Sequence, residues 1–432
     1  MALNPLTLRR LQRFRSIKRG WWSLIILGTF CFLALLGPLL VGNEALIVSY
    51  NGQWSFPIYQ KNVKPSNFGL PTDASINYRR LNKTFVEENK GDWVLLPLIP
   101  FSSTEVSEVY VPVTASIKNE RISFTDSRGT LLSETKIFVL NPDGTRGSSW
   151  SVSNGKLDGE FRLRDNQGNT TLLSKYINGV ALKTDREGRH IPPANLQTFI
   201  PYPTRPGLDG HWLGTDESGH DVLARLYGGF QILLIASVLY LVATYAIGIL
   251  LGAAMGYFGG WFDLIMQRLI EIWSNIPFLY AIVFLATLFE PSLIILMLIL
   301  VAFSWMGLAH QMRAATYRES ARDYIAASRS LGASHARIII KHILPNTLSV
   351  MITLAPFSIA AVVSSLSALD YLGFGLPSTV PSWGDLLRQG KENWSSWWII
   401  TSTVTCMVST LIMVNFIGEG VREAFDAKAT ES

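Results

Sequence analysis

Side chains capable of bond-making chemistry are few in this sequence and stand apart from one another. The six histidines are scattered, and no H-E-x-x-H, G-x-S-x-G or G-x-x-x-x-G-K-[ST] pattern occurs, so no metal-peptidase, serine-nucleophile or phosphate-loop motif is recognisable. His335 and His342 flank a basic stretch without further ligands at metal spacing, and no metal residues are assigned. Arg268 and Glu271, three apart in "QRLIEIWSNIP", can meet on one helix face. A charge within an apolar run is a candidate for a transport pathway, although a structural pair near a membrane surface is the simpler reading. The segment "ALDYLGFGLPSTVPSWGDLL" sets Asp370, Phe374 and Asp385 among glycines and prolines that no continuous helix accepts. Such irregular backbone is tolerated near a bilayer where it is buried in protein or borders water, which makes Glu271, Asp370, Phe374 and Asp385 candidate pathway or outer-mouth residues. "LGTDESGHDVLARL" predicts an interfacial helix with Asp216 and Ser218 capping its first free amides.

The most informative stretch is "YIAASRSLGASHARIIIKHILPN", which starts at Tyr324. Ala321, Ala326, Ala327 and Ser328 give a predicted helix over 320–331 a narrow surface that fits another protein's groove, and Gly332 can end it in a left-handed conformation. Beyond it, Ile338, Ile339, Ile343 and Leu344 share an apolar face while Arg337 and Lys341 lie four apart, a pattern suited to a helix on the membrane surface. Pro345 is expected to stop or kink the chain. These residue types make a handle rather than a reaction centre.

The elements that must carry the handle are membrane spans. Hydrophobic residues make up 48% of the 432-residue chain. Six apolar segments, near 23–41, 230–256, 266–288, 292–310, 349–369 and 397–418, are long enough or nearly so for a hydrocarbon core that takes about 20 helical residues to cross. Gly248, Gly252, Ala253 and Gly256 permit close helix approach, read as packing rather than pore lining. The N-terminal "LTLRRLQRFRSIKRGWWSL" holds six Arg or Lys and no acid, and the loop 311–346 holds six against two acids. Both excesses favour the cytoplasmic side, so both termini are expected there. A cleaved signal peptide is disfavoured by the length of the apolar region. Residues 42–229 are then external, with "NPDG", "SNG", "DNQGN" and "ING" marking hairpin turns of a β-rich domain at about 104–188 and a proline-rich tether after it. The two cysteines fall within spans and offer no disulfide framework. The net charge of +5 resides in the cytoplasmic flanks and gives no reason to expect nucleic acid.

The loop resembles that of binding-protein-dependent ABC importer permeases, whose pattern runs Glu-Ala-Ala, three residues, Gly, nine residues, Ile, one residue, Leu-Pro. Gly332 and Leu344-Pro345 match it, Ala327 and Ser328 fall on the alanine positions, Ala326 takes the place of the glutamate and His342 that of the isoleucine. "HWLGTDESGHDVLARLYGGFQILL", "LDYLGFGLPSTVPSWGDLL" and "HILPN" are similar to the C-type subunits of oligopeptide and dipeptide importers. The N-terminal basic stretch, "LIVSYNGQWSFPI" and "IGEGVREAFD" look closest to Yej-type peptide permeases. The resemblance implies an all-α polytopic membrane protein with the type I ABC importer permease fold, six transmembrane helices and an inserted extracytoplasmic β-rich domain. It implies a bacterial inner-membrane location, import of oligopeptides by alternating access, and a non-catalytic subunit without its own cofactor. The implied partners are a second homologous permease, two ABC ATPase subunits that bind ATP and Mg, an extracytoplasmic peptide-binding protein, and membrane lipid. The ATPase-coupling residues would be Ala326, Ala327, Ser328, Gly332, Leu344 and Pro345. The implied layout is a basic N-terminus (1–22), a first span (23–41), the external segment (42–229), a five-helix core (230–418) and a tail (419–432). A membrane-anchored sensor or envelope-assembly protein is the alternative; it accounts for the external segment but not for the loop.

Overall fold

Long apolar runs interrupted by proline and glycine produce long helices separated by sharp breaks, as the computed structural model of the chain displays. It describes residues 5–60, 63–70, 76–107, 109–112, 114–118, 121–125, 135–140, 146–153, 156–164, 170–177, 180–181, 196–199 and 202–425. The predicted turns "NPDG", "DNQGN" and most of "SNG" and "ING", part of the proline-rich tether, and the end of the tail lie outside these residues. Two units divide the chain: one comprises 1–35, 226–392 and 400–432, the other 36–225 and 393–399.

In the helical unit, α1 (Pro5–Ser16) leads into α2 (Lys18–Leu35), where the first span ends earlier than the expected 41 because Gly37 has positive φ and Pro38 comes directly after it. Among the described residues, five helical segments have the length and hydropathy to cross a membrane: α2, 222–258, 293–320, 335–371 and 397–425. The segment expected to form one span over 266–288 instead consists of α5 (Gly260–Ser274) and α6 (Phe278–Leu288), bent by 74°. Pro277 accounts for the break, since it disfavours helical backbone at the preceding Ile276. Counting the bent pair as one span gives up to six.

The small residues of α4 (Val222–Phe258) act as packing notches. A Cβ at Gly248 would meet Leu308 at 2.9 Å, one at Gly252 would strike the Ala309 carbonyl, and one at Gly256 would lie 2.5 Å from the Arg313 carbonyl. All three contacts fall on α7 (Leu293–Ser320), with Ala253, Leu308 and Met312 buried between the helices. Replacing Gly252 with Leu must push the helices apart, at an overpacking cost of about 1–3 kcal/mol. A lower melting temperature of the purified chain, with Gly28→Leu as a control where no atom lies within 4 Å, is the expected result. On the far side of α7, Arg313 grips Asp263 of α5 through Nε and Nη2 at 2.5 and 2.6 Å.

The second unit contains a small sheet that the sequence reading did not predict, although Asn51-Gly52 marks its first hairpin turn at positive φ. Strands β1 (Ile47–Tyr50), β2 (Gln53–Ser55) and β3 (Trp93–Leu95) form an antiparallel sheet in the order β2-β1-β3, and α3 (Tyr78–Glu88) packs on one face. Ala45, Val48, Phe68, Tyr78, Leu81, Phe85 and Val94 build its core. Nine strands between Tyr110 and Phe199 join in a second sheet among the described residues. Thr135–Leu140, Arg146–Ser153, Lys156–Arg164 and Thr170–Ile177 succeed one another antiparallel within it.

The stretch before α4 does not begin the helix at Asp216, contrary to the capping expectation. Asp221 is the cap: its Oδ1 accepts from the Ala224 amide at 2.7 Å. Asp216 closes a turn upstream, accepting from the Ser218 and His220 amides at 2.9 Å each, and lies fully buried 3.4 Å from Arg225. Burial alone would raise the Asp216 carboxyl; the His220 side-chain hydrogen bond and the Arg225 charge outweigh it and hold the group below the ordinary carboxylate value. His211, also buried, sits with Nδ1 2.8 Å from Asp221 and its ring stacked on Phe101.

Candidate functional site

The basic loop is a short helix fastened to the ends of two long ones. α7 ends at Ser320, and α8 (Asp323–Ser330) begins after a two-residue turn, with Asp323 in its first turn and Arg329 in its last, as the helix dipole favours. Gly332 terminates it at φ +80°. The Gly332 amide donates to the Arg329 carbonyl at 3.0 Å and the Ala333 amide to the Ser328 carbonyl at 3.1 Å, the paired bonds of a Schellman ending. The expected helix end at Gly332 is thus made by a glycine in the conformation that glycine favours.

Beyond Gly332 the chain departs from the surface-helix expectation. Ser334 caps α9 (His335–Ile338), and the backbone passes through a wide π-turn at 339–343 directly into α10 (Leu344–Tyr371), so that 335–371 is one helical segment. Pro345 neither stops nor breaks it. It occupies the first turn of α10, where a missing amide hydrogen costs least, and the π-turn takes up the mismatch ahead of it. The apolar face turns inward: Ile338 and Ile343 are fully buried with Ile325 of α8, against Tyr257 near the end of α4. Ile325 is therefore the bolt that holds α8.

Polar contacts reinforce this anchorage. Tyr257 Oη lies 2.9 Å from His335 Nδ1, and the Arg329 guanidinium stands 5.4 Å over the Tyr257 ring. Tyr324 donates to Glu319 Oε1 at 2.5 Å and accepts from Asn346 Nδ2 at 2.8 Å, while Arg322 pairs with Glu319 at 3.0 Å. Burial, then the hydrogen bond to Glu319, push the Tyr324 phenol above its ordinary value. With Ala at position 326, the acid beside this helix is Glu319, which sequence reasoning did not single out. Its signal was available only as a charge three residues before Arg322.

The opposite surface of α8 is open. Ala326, Ala327, Arg329 and Ser330 are exposed, Ser328 is half-buried, and Leu331 is 88% exposed just ahead of an exposed Gly332. Leu344 is half-buried and Pro345 exposed at the base of α10. Of the six residues singled out in this loop, Ala326, Ala327, Ser328 and Gly332 share the short projecting element, whereas Leu344 and Pro345 belong to the stalk. Small side chains outside and Ile325 inside suit a surface that receives force and passes it to α4, α7 and α10.

The candidate outer-mouth residues stand elsewhere and apart. Asp370 is buried near the end of α10, where it accepts from the Leu376 amide at 2.6 Å and from the Ser382 hydroxyl. Gly373, at φ +81°, ends α10 by the same device as Gly332, and Phe374 is half-buried beyond it. Asp385, also buried, lies in α11 (Trp383–Glu392) and holds Arg388 at 2.6 Å and Gln389 at 2.8 Å. Both aspartates are spent on tying the irregular segment together, because a buried carboxylate needs donors close by. Trp383 donates to the Leu226 carbonyl at 2.8 Å, locking α11 against α4. Glu271 remains exposed on α5, paired with Arg268 at 2.5 Å, an arrangement of small energetic worth at such exposure. No group of three or more potential metal ligands occurs among the described residues.

The family described as "Binding-protein-dependent transport system inner membrane component" matches residues 248–431, which include the whole of the loop and its stalk. The chain is 31% identical over 424 residues to "Inner membrane ABC transporter permease protein YejE" of Escherichia coli (strain K12), covering 98% of each chain. It is 29% identical over 429 residues to "Peptidoglycan transport system permease protein YejE" of Agrobacterium fabrum, covering 99% of this chain and 94% of that one. With "Dipeptide transport system permease protein DppC" of Bacillus subtilis it shares 33% identity over 303 residues, 67% of this chain and 92% of that one.

Proposed function

We propose, from the premise that this chain belongs to the binding-protein-dependent inner-membrane permeases of ABC transporters, that it carries oligopeptides into the cell by alternating access. The near full-length match to a permease, at 31% identity, carries the family assignment. The projecting α8, with its exposed Ala326-Ala327 surface, carries the mechanism. In this reading two ATPase subunits, holding ATP and Mg, grip α8; a second permease completes the translocation path; and an external peptide-binding protein delivers substrate. Closure of the ATPases moves α8, and the buried Ile325–Tyr257–Ile338 contact transmits the movement to the long helices as rigid bodies.

Six spans, counting the bent α5–α6 pair as one, would put both termini on one side of the membrane, and the basic N-terminal flank and the basic 311–346 loop support the cytoplasmic side. The strands between 110 and 199 then form an external insertion. A third of this chain falls outside the match to the dipeptide permease, whereas the YejE relatives match nearly all of it, which supports an element particular to the Yej type. The name of the Agrobacterium relative favours a narrower cargo, peptides cut from peptidoglycan, over oligopeptides in general. Reconstitution of the chain with its partners in vesicles tests both readings. ATP-dependent accumulation of a labelled oligopeptide or of a muropeptide is expected, and the preferred substrate separates them; accumulation of neither, with the ATPases bound and active, overturns the import assignment.

A further inference from the structure

Helix α2 is pinned to neighbouring helices near its two ends. At the cytoplasmic end of the proposed topology, Gly20 lets α2 approach α12 (Trp397–Phe425) so closely that a Cβ there would lie 3.0 Å from the Phe416 carbonyl. At the other end Tyr227 Oη donates to the Leu33 carbonyl at 2.8 Å and Gln231 Nε2 to the Ala34 carbonyl at 2.7 Å, satisfying last-turn acceptors that the helix cannot satisfy itself. Between these pins a crevice of about 250 Å³ opens among α2, α4, α10 and α12. Leu24, Cys31, Phe230, Ser237, Pro356 and Val414 are among its walls, which carry no charged side chain. Close-packed interiors leave few voids of this size, so a crevice in membrane helices needs an apolar filler.

The charge beside it identifies the filler. Arg15 at the end of α1 and Lys18 and Arg19 at the start of α2 are exposed, and Lys18 and Arg19 precede the crevice wall at Leu24 by five or six residues, about 8 Å of helix rise. Arg19 approaches one acid, Glu419, at 3.4 Å, and both side chains remain at least half exposed. Trp22, 60% exposed, stands between the cations and the crevice, where interfacial tryptophans anchor. We propose that this crevice binds one acyl chain of an anionic phospholipid whose headgroup is held by Arg15, Lys18 and Arg19. The site rests on the reading that α2 and α12 cross the membrane, and it makes the lipid a filler that sets how firmly α2 is attached to the transporter core.

Native mass spectrometry of the assembled complex, titrated with phosphatidylglycerol or phosphatidylcholine of the same acyl chains, tests it. A retained phosphatidylglycerol adduct is expected, weakened about fivefold for each charge removed in the series Arg15→Gln, Lys18→Gln, Arg19→Gln, and lost in Ser237→Trp, which fills the crevice. A second measurement needs no crevice variant: in a Cys406→Ala chain, phosphatidylglycerol slows maleimide alkylation of Cys31. Equal retention of the two lipids, an adduct indifferent to both sets of changes, alkylation of Cys31 unaffected by lipid, or no adduct in the assembled complex overturns the proposal. Continued ATPase copurification and substrate uptake in the lipid-site variants separates a failure here from a failure of the import reading.

Discussion

Ala327→Arg is expected to abolish ATP-driven uptake while leaving the membrane fold intact. Ala327 faces outward on α8, opposite the buried Ile325, so a long cation at this position meets no atoms of its own chain's core. Surface changes of this kind leave folding stability within about 0.5 kcal/mol. In the proposed docking of α8 on an ATPase, the same side chain would have to fit where the native chain presents only a methyl group. Disrupting the centre of such an interface costs about 2 kcal/mol or more, at least about 30-fold in affinity. Copurification of tagged chain with ATPase subunits, then uptake and ATP hydrolysis assays, reads the result. A variant that melts at the native temperature yet loses its ATPases places the grip on α8. Full assembly and full uptake with Arg at 327 sinks the coupling assignment, and the exposed Leu331 side of the loop becomes the place to look. Ile325→Ala provides the contrast: removing the bolt costs about 2–5 kcal/mol of packing, so that variant loses coupling together with stability.

The second large effect is expected outside the spans. Asp216→Asn removes a buried carboxylate from beside the buried Arg225, and breaking one partner of such a pair costs about 3–5 kcal/mol. The native carboxyl's value is depressed in the folded chain, so its stabilisation is fully present above the unfolded value of about 3.9 and is lost as pH falls through the lower folded value. Thermal unfolding of the native chain measured from pH 7 down through the acid range below about 3.9 should therefore show an added acid loss that Asp216→Asn lacks. Equal melting temperatures for the two chains at neutral pH would mean that Arg225 is adequately held by its other contacts.

Much of this protein was legible along the chain because its strongest signals are local. Apolar length, the flanking cations and the glycine at 332 act over one element at a time, and they marked the spans, the loop and the helix end with little help from tertiary contacts. The function proposed for the loop rests on a resemblance, since the spacing from Gly332 to Leu344-Pro345 is a pattern of shape rather than of reactive groups. The small residues of α4 announced close packing, but the partner that fills each notch, α7, came only with the fold.

Where sequence reasoning missed, a competing physical cause decided the outcome. Pro277 broke the third apolar segment although its hydropathy ran on. Pro345 was absorbed into the first turn of α10 by a π-turn, so Ile338 and Ile343 were turned from the membrane surface onto Ile325. Asp370 and Asp385, exposed-looking in a segment rich in glycine and proline, were drawn inward to satisfy free amides and side-chain donors. Asp263 and Arg313 lie 50 residues apart and carried no joint signal, yet they clasp α5 to α7. The sequence by itself determined which stretches are apolar enough to span and where the basic loop and its helix-ending glycine lie, because those properties depend on neighbours within a few turns. Only the tertiary structure decided how the handle is fastened and which charges are consumed internally, because a buried hydrogen bond or packed side chain is set by groups distant in the chain.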